Sequence, residues 1–222
     1  MAKRKIDGLE KELFSDRERM ELWIAENWKQ CVGMAALVVV IVVGVFAWNH
    51  FQRRRDAAYR AELAAATPEN LDAVVARRPA HPAVVMARLR CARALQAAGQ
   101  YARARSEYLK AASCAGISEV LRENARMEAA TCAELAGEDK IAIADWSAVE
   151  AGAENSLPVR AEAGYQAGRM MLKNGDISGA KAAFTRVAGM GDVGRSGAEI
   201  WVMQSRHALA AVANGDFAPA SK

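Results

Sequence analysis

A chain of 222 residues with 30 basic and 26 acidic side chains carries a formal net charge of +4 at pH 7. Its first thirty residues balance seven basic side chains against seven acidic ones, so the small surplus is spread over the rest, which excludes the concentrated basic footprint of a nucleic-acid binder. His50, His81 and His207 lack a second ligand at helical spacing, and Cys31, Cys91, Cys114 and Cys132 form no CxxC pair, so no catalytic, cofactor-binding or metal residue and no small-molecule substrate is expected.

In chain order, residues 1–30 read as a polar tail. Within it, Asp16 to Lys29 places Met20, Trp23, Ile24 and Trp28 at helical spacing, which predicts an amphipathic helix lying at a membrane surface. An upstream extension of the next helix is the alternative. From Gln30 to Gln52 no charge occurs, and residues 31–51 read as one transmembrane helix, since a bilayer core of roughly 30 Å needs about 20 helical residues. Trp23, Trp28 and Trp48 stand where aromatic belts form, with Lys29 and Arg53 to Arg55 closing the ends. A signal peptide fits poorly, because a long charged segment precedes the apolar run and Asn49 to Arg55 contains no small-residue cleavage site. Gly33 and Gly44 make no small-xxx-small pairing motif. Four basic residues flank the span on each side (Lys11, Arg17, Arg19 and Lys29 against Arg53, Arg54, Arg55 and Arg60), so charge leaves the orientation open.

Residues 52–80 read as a first helical hairpin, Arg53 to Ala66 and Pro68 to Arg78, with Thr67 as N-cap and Pro79 and Pro82 as the stop. Residues 81–222 then repeat. Gly99, Gly137 and Gly175 lie 38 residues apart. Seven residues before each comes a small residue (Ala92, Ala130, Gly168), five after an alanine (Ala104, Ala142, Ala180), nine after an aromatic (Tyr108, Trp146, Phe184) and twelve after a small aliphatic (Ala111, Val149, Val187). That pattern predicts three helical hairpins over 83–113, 121–151 and 159–189, each bent at its glycine and each burying its apolar face against the next. Ser196 to Ala213 is the expected capping helix, Gly189 to Gly197 a loop between elements, and Phe217 to Lys222 a frayed end.

The run Ala92-x2-Leu95-x3-Gly99-Gln-Tyr101-x2-Ala104-x3-Tyr108-x2-Ala111 resembles a tetratricopeptide (TPR) repeat, and Gly168-x6-Gly175-Asp-Ile177-x2-Ala180-x3-Phe184 resembles another. Arg88, Arg126 and Gly164 stand where that family often has tryptophan, the terminal proline is absent, and each unit is four residues longer than usual. The expected fold is therefore all-α, a single N-terminal transmembrane helix followed by a TPR-like α-solenoid. The whole layout is similar to the YfgM-like ancillary subunits of the bacterial Sec translocon. That resemblance implies a single-pass protein of the inner membrane, its tail in the cytoplasm and its repeats in the periplasm, which binds the translocon and a membrane-anchored prolyl-isomerase-like chaperone and assists handover of secreted chains without making or breaking a bond. It also places a partner-binding groove on the first helix of each hairpin: Met86, Leu89, Arg93 and Gln96, then Asn124, Met127, Thr131 and Glu134, then Glu162, Tyr165, Arg169 and Lys173. Flexible methionines suit loose recognition of proteins or peptides, and Arg93, Arg169 and Lys173 can hold a carboxylate. In an oxidising periplasm Cys114 and Cys132 are the pair expected to bridge first. The alternative is a cytoplasm-facing TPR scaffold that recruits a soluble complex to the membrane, which Arg53 to Arg55 favour.

Overall fold

The computed structural model describes residues 16–192 and 197–215, and among them every regular element is helical. The expected frayed end and residues 193–196 of the loop before the last helix lie outside the described residues. Two units divide the chain, residues 1–59 and residues 60–222.

In the first unit, α1 (Asp16–Glu26) is followed at Asn27 by a break and then by α2 (Trp28–Ala65), which runs on into the second unit. The tail stretch is thus a separate helix and not an extension of the span. Its apolar residues are not confined to one side, since two residues along a helix place Leu22 about 200° round the axis from Met20. The apolar run and the leading helix of the first hairpin form one helix of 38 residues, with no break at residues 51 and 52. Nothing in Gln52 to Ala65 breaks it, because that stretch holds neither glycine nor proline and alanine and arginine are strong helix formers. Among the described residues α2 is the one helix long and apolar enough to cross a membrane, and none of its apolar window is buried.

The second unit begins with the end of α2 and the short α3 (Leu71–Ala76). This helix starts three residues after Pro68. Thr67 is not its N-cap; the Thr67 amide instead donates to the Asn70 side chain at 2.8 Å, and a tight turn occupies the intervening residues. The end of α2 is tied down from a distance by Arg90, whose Nη2 donates to the Leu63 and Ala66 carbonyls at 2.8 and 2.9 Å. A cation on carbonyls that have no partner inside their own helix is the usual way such an end is satisfied.

Three hairpins follow: α4 (Ala83–Ala97) with α5 (Tyr101–Ala112), α6 (Glu119–Leu135) with α7 (Asp139–Ala151), and α8 (Leu157–Lys173) with α9 (Ile177–Ala188). Each helix packs on the next in the chain. Gly189–Asp192 is a single 3-10 turn, and α10 (Glu199–Asn214) closes the stack against α9 and α8. Gly99, Gly137 and Gly175 lie at the bends with φ of +72°, +75° and +79°. At each bend the glycine amide and the one after it donate back into the preceding helix (Gly99 to Gln96 and Gln100 to Leu95 at 3.0 and 2.9 Å, then the same pair in both later repeats), so one Schellman motif is used three times.

Where the paired helices cross, Ala92 meets Ala104 and its repeat mates Ala130 and Ala142 do the same, all four with no exposed surface. The aromatics beyond them, Tyr108, Trp146 and Phe184, are 4% exposed or less. Burying each contributes about 1.5–3 kcal/mol. At the tryptophan positions of the TPR pattern the chain uses charge: Arg88, 9% exposed, pairs with Glu107 at 2.6 Å and Asp72 at 3.0 Å, and Arg126 pairs with Glu154 at 2.5 Å. At Gly164 the space is taken by Val187 and by Glu150, which Arg186 grips with two hydrogen bonds of 2.8 and 2.9 Å.

Gly168→Ala should lower the unfolding free energy of the full-length chain by about 1–3 kcal/mol, since the new Cβ would lie 2.6 Å from the Phe184 ring. Gly137→Ala meets open space, and its positive φ alone should cost about 1–2 kcal/mol. Urea denaturation measures both; no loss at Gly168 would mean that α8 and α9 do not touch there.

Candidate functional site

The first helices of the three hairpins, α4, α6 and α8, share one side of the stack, and the alternation of buried and open positions along them decides what reaches it. On α6 the deeply buried Ala125, Ala129 and Cys132 face the core, which leaves Asn124 exposed and Met127 and Thr131 half-buried. A cavity of about 390 Å³ opens there. It is lined by six of the twelve expected groove residues, Leu89, Arg93, Asn124, Met127, Thr131 and Glu162, drawn from all three first helices. Residues that the carried-over pattern did not include complete it: Leu121, Ala125 and Glu128 on α6, and the aromatics Tyr108 and Trp146 from the second helices α5 and α7. The signal for the two aromatics was in the repeat itself. An aromatic nine residues after a glycine, opposite only small residues, is long enough to pass between its neighbours and reach the far side.

A second cavity of about 470 Å³ lies beside it, where Met86, Leu89 and Arg93 meet Arg60, Leu63 and Arg90. Its walls are apolar and arginines supply its polar groups.

Of the other expected groove residues Met86 is exposed at the second cavity, and the rest are engaged within the chain. The Tyr108 hydroxyl donates to Gln96 Oε1 at 2.7 Å. Arg169 Nη2 donates to both oxygens of Glu134 at 2.7 and 2.6 Å, and Lys173 Nζ reaches Asp139 at 2.9 Å. Tyr165 sits between Phe184 and Trp201, ring centroids 5.7 and 5.6 Å away, where α10 covers the end of the stack. Of the three cations expected to hold a carboxylate, Arg169 and Lys173 therefore already hold carboxylates of this chain, and Arg93 stands in the cavity near the Tyr108 hydroxyl.

Burial dominates the electrostatics of the wall. It pushes the Tyr108 hydroxyl up to about 12, with the Glu128 carboxylate adding to the effect, and it raises the Glu162 carboxyl above its ordinary range with nothing opposing the shift. The Cys132 thiol is pushed up to about 11 for the same reason, and Cys114 is raised as well. All four cysteines are free thiols, with Cys114 Sγ donating to the Lys110 carbonyl at 3.3 Å. Among the described residues no cluster of three His, Cys, Asp or Glu side chains could hold a metal ion.

No protein-family model matches this chain, and no curated protein matches it in sequence. Two solved structures are similar in fold, both of a Podosopora anserina kinesin light chain protein with nearly identical TPR-like repeats. One is 22% identical, covers 75% of this chain and 87% of its own, and superposes with a TM-score of 0.47; the other, a point variant, is 21% identical, with 75% and 86% coverage and a TM-score of 0.48. At this distance the TPR-like assignment rests on the hairpins themselves: three glycine bends in one geometry, small residues at the crossings and an aromatic behind each. The domain is a stack of TPR-like helical hairpins.

Tyr165→Ala should cost about 2–3 kcal/mol of stability, because it removes a ring packed between two others, whereas Asn124→Ala should stay within about 0.5 kcal/mol of the parent. Thermal and urea unfolding of the full-length chain checks both; equal effects would overturn the division between the packed end of the groove and its open middle.

Proposed function

We propose that the chain is a membrane-anchored protein-binding module whose open groove along α4, α6 and α8 grips segments of other proteins. The observation that carries this is the cavity itself, a concavity built by all three first helices and lined by apolar and polar side chains in about equal measure. Its size suits one or two side chains of an extended segment and not a whole helix. Anchoring by α2 is supported by its apolar run from Val32 to Phe46, whose large side chains are all more than half exposed, a surface that water would not tolerate without a covering.

Within that reading, an ancillary role at a protein translocon, with the repeats on the periplasmic side beside a membrane-anchored chaperone, is supported by the order of tail, span, basic juncture and repeats. The Arg53 to Arg55 cluster favours the opposite reading, a scaffold that faces the cytoplasm. Alkaline phosphatase fused after Lys222 separates them: activity is expected for the first, and silence with a stable fusion overturns it. A photo-crosslinking side chain at Asn124 should yield adducts with partner proteins, and one at the exposed Lys140 on the opposite helix of the same hairpin should yield at least about fivefold less. Equal yields would sink the groove as the binding surface.

A further inference from the structure

In the repeats the buried Glu123 and the bend residue Asp176 are held by hydrogen bonds from amides and hydroxyls, and Glu134 and Asp139 are matched by Arg169 and Lys173. Two carboxylates of the 390 Å³ cavity are not. Glu128 on α6 and Glu162 on α8 line it together, and among the described residues neither has a basic side chain within 4.0 Å. Glu128 is exposed and receives a long hydrogen bond of 3.4 Å from Gln96 Nε2, whereas Glu162 is half-buried with its carboxyl raised by desolvation alone. The one cation of the cavity is Arg93, whose side chain interacts with the Tyr108 hydroxyl. A second group waits in the same wall. Trp146 is 4% exposed and its indole N–H has no acceptor. Its counterpart in the previous repeat, Tyr108, has one in Gln96. A buried donor left unmatched costs about 1–3 kcal/mol, and an uncompensated, partly desolvated carboxylate also weakens the fold.

One kind of ligand answers both deficits. We propose that this cavity receives a lysine or arginine side chain from an extended segment of a partner protein, its charged head between Glu128 and Glu162 and its aliphatic stem along Leu89 and Leu121. On entry the segment moves the Trp146 ring, whose N–H has almost no exposed surface, and gives that N–H a carbonyl acceptor. The charge balance argues for a cation, two carboxylates against one guanidinium, and an acidic segment would find Arg169 and Lys173 already occupied. This rests on the reading of the groove as a protein-binding surface and states what that surface selects.

The test uses the full-length chain in detergent with its indole nitrogens labelled, the Trp146 signal being assigned from Trp146→Phe. Three capped pentapeptides are titrated: Ser-Leu-Lys-Leu-Ser, the same with norleucine for lysine, and the same with glutamate. The lysine peptide should bind at least about tenfold more tightly than the other two and should move the Trp146 indole signal. Glu162→Gln and Glu128→Gln should each bring its affinity to within about twofold of the norleucine peptide. Glu162→Gln should do so with an unchanged or higher melting temperature, because it removes a desolvated charge that lacks a partner. Equal binding of the lysine and norleucine peptides would overturn the cation site and leave the groove as a binding surface. Preference for glutamate would overturn it in favour of Arg93. If no peptide binds or moves the indole signal, both the cation site and the groove reading fail. A Glu162→Gln chain that does not fold would contradict the premise that this carboxylate has no structural partner, and would overturn the proposal as well.

Discussion

The close approach of helix to helix at Ala92, Ala130, Gly168 and their partners Ala104, Ala142 and Ala180 is the constraint from which the rest of the repeat domain follows. With little or no side chain at those points, the two helices of a hairpin come near enough that one large ring fills the remaining gap, and Tyr108, Trp146 and Phe184 each do so. An Ala-rich chain with few aromatics holds together because each ring is used at a crossing and each crossing recurs. A larger residue at any of these points would part the helices and strand the ring. The Phe184 edge at 2.6 Å from a Cβ imagined on Gly168 shows how little slack exists.

Between repeats, ion pairs recur at roughly the repeat distance: Lys110 with Asp72, Arg105 with Asp145, Arg169 with Glu134, Arg186 with Glu150. Exposed pairs of this kind contribute about 1 kcal/mol or less, so their role lies more in fixing how one hairpin sits on the next than in stability. Glu150, with its side chain 7% exposed, is the exception, because a carboxylate that deep must keep its arginine. The same pairing explains how Arg88 and Arg126 replace the tryptophans of the TPR pattern: each guanidinium ends on a carboxylate that its neighbours provide. A consequence for function is that the chain's own charges close the groove around Arg169 and Lys173 and leave it open around Asn124 and Met127.

The helical content, the three hairpins, their bends and the buried residues at each crossing could all be read from the chain, because they are encoded by local rules that repeat: a glycine for the left-handed turn, small residues at set offsets and an aromatic behind them. So was the length and apolarity of the run within α2. What local rules did not carry was where a helix continues. Nothing at Gln52 marks an end, so the apolar run and the first hairpin's leading helix merge, and a tight turn at Thr67 and Pro68 delays α3. Half of the groove residues carried over from the TPR pattern meet in one cavity, and most of the others are spent on partners elsewhere in the chain, as Arg169 is on Glu134 or Tyr165 on Trp201, while Met86 stays exposed at the second cavity.

Periodicity in the amino-acid order thus determines which face of each helix is buried, since burial of a side chain depends on its own size and polarity at a recurring angle. Which of the remaining charges and rings are free was decided only when the hairpins stacked. Pairing depends on distances between helices that are far apart along the chain, and no property of Glu128, Glu162 or Trp146 alone distinguishes them from Glu134, Glu150 or Tyr108, whose partners happen to arrive.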